Sequence, residues 1–261
     1  MCRTGSWCQI IQTVWQGGSG KRLLDKREAL IGAIQQECWD KRDHFFYSVD
    51  VDIKTRKYDW FHQGLGVFWK TLPIKVRVWS GFIPMYAGIA TKEQAADMVK
   101  HIFDPDTFGS DFGLTTLSKD EKMFDLSVTN NPSNWLGPIW LVANYVVFRG
   151  LLNYGYRMEA EIMYKRTMRL LGEDLEKTGC LHEYYNPFNG EPVMNGGFIN
   201  WNILALNMAD ELEGKKPMCL PELLEKTGRK AIVIIRFFCC EVSKYRKRIA
   251  EYVEFCSPFL V

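Results

Sequence analysis

The sequence predicts an all-α protein built from helical hairpins, with short β segments in the loops. Two observations predict this class. Apolar residues recur at helical spacing along most of the chain, and a nearly all-apolar helix alternates with amphipathic ones. An apolar helix is normally buried on most sides, whereas an amphipathic one faces water. We therefore expect inner helices that line a site and outer helices that face solvent, joined by long aromatic loops.

The first half of the chain contains two predicted helices and one extended segment. Residues 1–20 end in a Gly-Ser-rich run and are expected to form a loose leader. Helical spacing covers residues 23–40, and residues 45–52 alternate as a strand or extended turn does. A capping box begins the second helix at Thr91, and Pro105 ends it.

Three more helices are predicted in the second half. Pro138 suits the first turn of a third helix over residues 140–154, which stops at Gly155. A fourth, amphipathic helix covers residues 157–177 and ends at Thr178-Gly179, and a fifth runs from about residue 198 to 212. The helical domain would therefore span residues 21–214.

Residues 215–261 differ in character and are predicted to form a divergent basic and apolar tail. The apolar run over residues 231–240 is interrupted by Arg236 and is too short to cross a bilayer. The basic segment that follows could touch a membrane, but an ordinary surface helix or a poorly ordered tail is the favoured interpretation.

Composition excludes several function classes. The 261 residues carry a net charge of +2, which gives no reason to expect a nucleic-acid partner. The eight cysteines and four histidines show no metal-ligand spacing, and no Gly-rich phosphate loop precedes a helix, so we expect no metal and no cofactor. The start lacks a secretory signal, which predicts a cytoplasmic protein. Nine tryptophans fit either a large core or carbohydrate binding.

The candidate site lies between residues 134 and 201. Trp135 and Trp140 flank a Gly-Pro turn, and Trp201 opens the fifth helix next to Asn200. Aromatic faces stack on the apolar faces of sugar rings, so these tryptophans are predicted to bind substrate. The alternative is that they are core residues.

Glu183 is the candidate catalytic carboxylate. It stands between His182 and Tyr184 in an aromatic loop, where it could act as a general base toward water. The alternative is a structural carboxylate that caps local backbone N–H groups. Tyr184 and Asn144 are predicted to line the same cavity, since Asn144 is a polar group on an apolar helix, one turn beyond Trp140.

Three aspartates cluster near the extended segment, namely Asp50, Asp52 and Asp59. A calcium-binding or catalytic role is conceivable, but we favour a solvated turn.

Several motifs occur in one order along residues 30–213. They are Phe45-Phe46-Tyr47, the run from Gly81 to Thr91, the run from Asn134 to Trp140, Glu183-Tyr184-Tyr185-Asn186-Pro187, and Phe198-Ile199-Asn200-Trp201. With these motifs the chain resembles the inverting glycoside hydrolases related to mannosyl-oligosaccharide glucosidase and mannosylglycerate hydrolase. The resemblance implies an (α/α)6 toroid that acts on α-glucosides or α-mannosides. It also implies Glu183 as the base and Trp135, Trp140 and Trp201 in the subsite.

The same resemblance implies that one component is missing. In this family the general acid is an aspartate upstream of the Phe-Tyr segment, and residues 1–40 contain no matching motif. Asp40 and Asp43 do not replace it. The chain is therefore predicted to be the C-terminal half of a catalytic domain. Its exposed inner helices would favour an oligomer or a second chain.

Three functions remain open from the sequence. The first is an inverting glycosidase, and the second is a carbohydrate-binding remnant without catalysis. The third is a sugar isomerase or epimerase, for which His182 would be the only histidine near the proposed site.

Overall fold

The computed structural model describes residues 18–54, 68–127 and 133–215, and this part of the chain is about half helical. Its α-helices are α1 (Gly18–Ala33), α2 (Ile83–Tyr86), α3 (Lys92–Phe103), α4 (Leu141–Asn153), α5 (Arg157–Thr178) and α6 (Leu204–Leu212). A π-helical turn, Ile34–Cys38, extends α1. The helical class predicted from the sequence is confirmed.

The described strands form two-stranded antiparallel hairpins between the helices. The pairs are β1 (Trp39–Asp40) with β2 (Phe45–Phe46), β3 (Ser48–Lys54) with β4 (Phe68–Ile74), β5 (Gly109–Ser110) with β6 (Gly113–Leu114), and β7 (Tyr184–Tyr185) with β8 (Pro192–Met194). The extended segment predicted over residues 45–52 is therefore confirmed. Asp50 is exposed on β3, opposite Leu72 in the register. The side chain of Asp52 and all of Asp59 lie outside the described residues.

Local sequence signals set the ends of two helices as predicted. The Thr91 hydroxyl accepts a hydrogen bond from the Gln94 amide at 3.2 Å, and the Gln94 side chain accepts one from the Thr91 amide at 2.7 Å. This capping box satisfies two donors at the start of α3. Helix α5 ends at Gly179, whose φ of 74° is the left-handed conformation that glycine adopts without strain.

Long-range pairing holds the chain extended before two helices, which corrects the predicted place of Pro138 and the predicted start of the last helix. Pro138 is not in the first turn of a helix, since Ile139 pairs with both Thr115 and Tyr185 and α4 begins only at Leu141. The Phe198 amide donates to the Leu181 carbonyl at 2.9 Å. The last helical segment consequently begins as a 3-10 turn at residues Trp201–Ile203, not at residue 198.

Helix α4 is the buried centre of the packing, as its apolar sequence predicts. It packs against α2, α5 and α6. The approach to α2 is close at Gly150, where an added Cβ would lie 3.0 Å from the Met85 Cβ. The main core cluster joins Val147, Phe148 and Leu151 of α4 to buried residues of α2, α3 and α5. The amphipathic α5 buries one face against this core.

Large apolar side chains are exposed on the periphery, while α4 carries none. They lie on α1, β4, α2, α5 and the loops, and the most exposed are Met158 at 76%, Phe188 at 63% and Leu30 at 61%. Among the described helices, none is long and apolar enough to cross a membrane. Helix α1 begins inside the predicted leader, at Gly18; the rest of that leader and the tail from residue 216 lie outside the described residues.

Candidate functional site

The site begins with extended segments that lie side by side at the start of α4. Ile139 pairs with Tyr185 through two backbone hydrogen bonds, N–H to O of 2.8 and 3.1 Å, and with Thr115 on its other side. Val78 pairs with Leu117, which lies two residues after Thr115 in the same extended segment. Successive side chains of an extended chain point to opposite faces. Ile139 and Tyr185 therefore enter one apolar cluster, and their neighbours Trp140 and Tyr184 enter another.

The second face carries a series of stacked rings, which we call the tryptophan row: Trp79, Trp135, Trp140 and Tyr184, with Trp201 against Trp140. Centroid distances and interplanar angles are 6.1 Å and 26° for Trp79–Trp135, 4.0 Å and 15° for Trp135–Trp140, 5.0 Å and 19° for Trp140–Tyr184, and 6.2 Å and 54° for Trp140–Trp201. The predicted subsite residues Trp135, Trp140, Tyr184 and Trp201 are thus brought together from loops up to 66 residues apart.

The rings of the row differ in exposure. Trp140 and Tyr184 are each 1% exposed, whereas Trp79, Trp135 and Trp201 are half-buried. The Trp140 indole N–H donates to the Asn134 carbonyl at 2.7 Å, which fixes the orientation of the central ring. The Trp201 indole nitrogen is buried and has no hydrogen-bond partner among the described residues. The three half-buried indoles are the ring surfaces of the row that a ligand could reach.

Tyr184 remains a neutral phenol at ordinary pH. Its burial, together with the nearby charge of Glu183, raises its pKa, and a backbone hydrogen bond from Asn134 opposes that shift only partly. The hydroxyl therefore keeps its proton as a donor.

Glu183 lies beside the row, immediately before Tyr184, and only 8% of it is exposed. Its amide donates to the Met194 carbonyl at 3.0 Å, which ties it to the β7–β8 hairpin. The Glu183 carboxylate accepts a hydrogen bond from the side-chain amide of Asn195. Asn195 adopts a φ of 53°, which is unusual for a residue other than glycine. A nearly buried carboxylate, held by one amide next to neutral aromatic rings, can accept a proton from a water molecule.

Asn144 lies beneath the row and has no exposed surface. Its side-chain oxygen accepts from the Leu114 amide at 2.8 Å. Its nitrogen donates to the carbonyls of Leu114 and Trp140 at 3.0 and 3.1 Å. The amide expected to face a cavity is thus used to join β6 to the first turn of α4.

Sequence reasoning missed three residues of this region. Trp79 extends the row, Phe198 contacts Trp201 at 5.5 Å between ring centroids, and Asn195 holds Glu183. No local sequence signal places Trp79 in the row, because its position depends on a hydrogen bond from its amide to the Thr116 carbonyl at 2.9 Å. Asn195 follows Glu183 by twelve residues across a hairpin that could have been suspected from its Asn-Gly turn.

Within the described ranges, no group of three or more His, Cys, Asp or Glu side chains is placed to hold a metal ion.

Comparison with known proteins identifies the family. The model of the mannosylglycerate hydrolase MGH1-like glycoside hydrolase domain matches residues 17–201, most of the chain. The chain belongs to this family. The match includes the tryptophan row, Glu183 and Asn195.

The relatives are distant and much longer. Mannosylglycerate hydrolase MGH1 of Selaginella moellendorffii is 27% identical over 193 residues, which are 72% of this chain and 34% of that protein. The mannosyl-oligosaccharide glucosidase of Saccharomyces cerevisiae is 23% identical over 220 residues, or 78% of this chain and 24% of the enzyme. The chain thus spans about a third or less of these curated relatives.

Solved structures give a fold-level likeness. The structure of GH63 mannosylglycerate hydrolase from Thermus thermophilus in complex with glucose aligns at 22% identity and a TM-score of 0.47, covering 65% of this chain and 36% of that one. A sialidase structure aligns at 17% identity and a TM-score of 0.51, covering 67% of this chain and 15% of that one.

Proposed function

We propose that this chain carries the base side of an inverting glycoside hydrolase site that acts on α-glucosides or α-mannosides. The observation that carries the proposal is Glu183, only 8% exposed beside the tryptophan row and hydrogen-bonded by Asn195. Family membership supports glycoside hydrolysis, and the similarity to a mannosylglycerate hydrolase and to a mannosyl-oligosaccharide glucosidase supports the two sugars.

In this mechanism the tryptophan row orients the sugar, and Glu183 activates the attacking water. The exposed parts of the half-buried indoles of Trp135 and Trp201 contact the apolar faces of the sugar, which orients the ring. Glu183 takes a proton from a water molecule, and that water attacks the anomeric carbon from the side opposite the leaving group. The configuration at the anomeric carbon inverts.

Inversion also needs a carboxylic acid roughly 6.5–9.5 Å from the base to protonate the leaving oxygen. We propose that the described residues do not supply this acid, and that it comes from a residue outside them or from a second chain. The absence of the family's upstream aspartate motif before the Phe-Tyr segment supports this part of the proposal.

The test is hydrolysis of a panel of α-glucosides and α-mannosides, mannosylglycerate included, by the purified chain and by Glu183→Gln. If the chain turns over, the variant should lose about 10²–10⁴-fold in kcat. NMR of the first product formed should show the inverted anomer. Glu191→Gln is the matched control, since Glu191 is an exposed residue of the same hairpin whose carboxylate pairs with Lys177 at 2.9 Å. Equal loss in both variants would refute the role of Glu183, and a retained anomer would refute inversion.

A carbohydrate-binding protein without turnover is the second candidate, favoured by the fact that the tryptophan row is complete within the described residues. Sugar affinity that is lost in Trp135→Ala, with no hydrolysis in a folded sample, would identify it.

A further inference from the structure

A fully buried carboxylate lies behind Glu183, on a helix otherwise expected to face water. The Asp174 side chain of α5 has no exposed surface. It accepts hydrogen bonds from the Tyr185 hydroxyl at 2.8 Å, the His182 amide at 3.0 Å and the Thr178 hydroxyl at 3.0 Å. The Nδ1 atom of His182 lies 2.9 Å from it. Nothing in the proposed reaction uses this group directly.

An aspartate is a costly choice for such a position. Removing a carboxylate from water is unfavourable unless donors replace its hydration shell. Here the donors come from α5 itself and from two residues of the segment that carries the catalytic candidate. Burial also raises the pKa of Tyr185, so its hydroxyl stays protonated and keeps donating to Asp174.

The arrangement holds the segment at both ends. His182 and Tyr185 flank Glu183 and Tyr184 in the chain, and both are bound to the same carboxylate. Tyr185 is also paired with Ile139, directly before Trp140 of the tryptophan row. Asp174 therefore fixes the position of Glu183 relative to the stacked rings, from a helix that contributes none of them.

We propose that Asp174 is a positioning residue for Glu183, acting through His182 and Tyr185, and that His182 serves as a hydrogen-bond donor to Asp174 rather than as a proton carrier in catalysis. The catalytic part of this inference rests on the proposed function. The positioning part does not, and it can be measured without turnover.

The first measurement is amide hydrogen exchange, resolved by residue, in the full chain and in Asp174→Asn. The Glu183 amide bonds to Met194 and the Tyr185 amide to Ile139. Both should exchange about tenfold faster or more in the variant, because a charge-assisted anchor is lost, while α4 amides keep their protection.

The matched control is Glu211→Gln. The Glu211 side chain is 9% exposed and is bound by Tyr145 and Arg149, neither of which belongs to the row. The Glu211→Gln substitution should leave amide hydrogen exchange at residues 182–185 unchanged. If Asp174→Asn speeds exchange uniformly over the molecule, or leaves the Glu183 amide as slow as in the parent, the positioning role is wrong. Should Asp174→Asn fail to fold, Tyr185→Phe removes a single donor and replaces it in the same comparison.

The second measurement separates positioning from proton transfer at His182. In asparagine the side-chain nitrogen stands near the place of histidine Nδ1 and can donate to Asp174, but it does not titrate. We expect His182→Ala to lower kcat about 100-fold with little change in KM, and His182→Asn to recover most of that loss. An asparagine variant as inactive as the alanine variant would overturn the donor role and favour an isomerase-type base.

The two proposals fail in different ways. A parent chain without turnover but with the exchange pattern above would count against the hydrolase and support the Asp174 anchor. Turnover by the parent chain, with amide exchange at residues 183 and 185 unchanged in Asp174→Asn, would support the hydrolase and count against the Asp174 anchor.

Discussion

Two aromatic clusters of this protein differ in how far their rings are buried. In the phenylalanine core, formed by Phe45, Phe82 and Phe108, every ring is fully buried. Phe82 meets the other two nearly edge to face, at 85° and 75°, while Phe45 and Phe108 are stacked at 10°. In the tryptophan row four rings are stacked and Trp201 is tilted by 54° against Trp140, and three of the five rings are half-buried.

The difference distinguishes packing from binding. The fully buried phenylalanine rings fill volume and leave no surface for a ligand, which suits a core. The half-buried indoles of the row keep part of their surface in solvent, and the row carries polar handles, such as the bond from Trp140 to Asn134. Neither aromatic content nor ring geometry separates the two clusters, since each contains a stacked pair; exposure does.

The largest effect is expected from Phe45→Ala. Phe45 is packed so closely that an added Cβ on Gly81 would lie 2.4 Å from its ring. Removing the ring should lower the free energy of unfolding by about 3–5 kcal/mol, through lost burial and a cavity. Urea denaturation measures this loss. The folded fraction should bind sugar as the parent does, and a selective loss of sugar affinity would contradict the separation of the two clusters.

Trp135→Ala should show the opposite pattern. It removes a half-buried ring of the row, so sugar affinity should fall about tenfold, or roughly 1.4 kcal/mol, with a smaller loss of stability than Phe45→Ala. Calorimetric titration with methyl α-glucoside and methyl α-mannoside is the measurement. Trp39→Ala is the control, because Trp39 is a half-buried tryptophan that contacts Phe46 at 4.7 Å, outside the row. Equal affinity losses in both variants would remove the distinction.

The smallest expected effect is on the pH dependence of stability, and it concerns ion pairs beside the phenylalanine core. Beside the phenylalanine core, Lys75 pairs with Asp40 and Asp43, and Tyr47 donates to Asp43 at 2.7 Å. The hydrogen bond from Lys75 lowers the pKa of Asp40 to about 2. Because this value is below the unfolded value of about 3.9, the contribution is present above that pH and is lost as pH falls toward 2.

These groups are partly solvated, so the contribution should be only about 0.5 kcal/mol. Urea midpoints at pH 6 and pH 3 should therefore differ more in the parent than in Lys75→Met. An unchanged difference in the variant would show that other carboxylates cause the acid sensitivity.

Much of the helical scaffold could be predicted because its signals are local. The capping box at Thr91, the left-handed glycine at 179 and the apolar run of α4 act over a few residues, and each appears where expected. The start of α4 was placed within one residue, but the role given to Pro138 was wrong, since pairing of Ile139 with Tyr185, 46 residues away, keeps Pro138 out of the helix.

By itself the sequence determined the helical class, the family, and the residue types of the site: a carboxylate among tyrosines and three of its tryptophans. Only the tertiary structure decided that Trp79 joins those tryptophans, that Asn144 is used up inside the fold, and that Asp174 holds the segment carrying Glu183. The physical reason is range. Helix caps and apolar periodicity depend on neighbours in the chain, whereas ring stacking and buried hydrogen bonds depend on segments that meet only after folding.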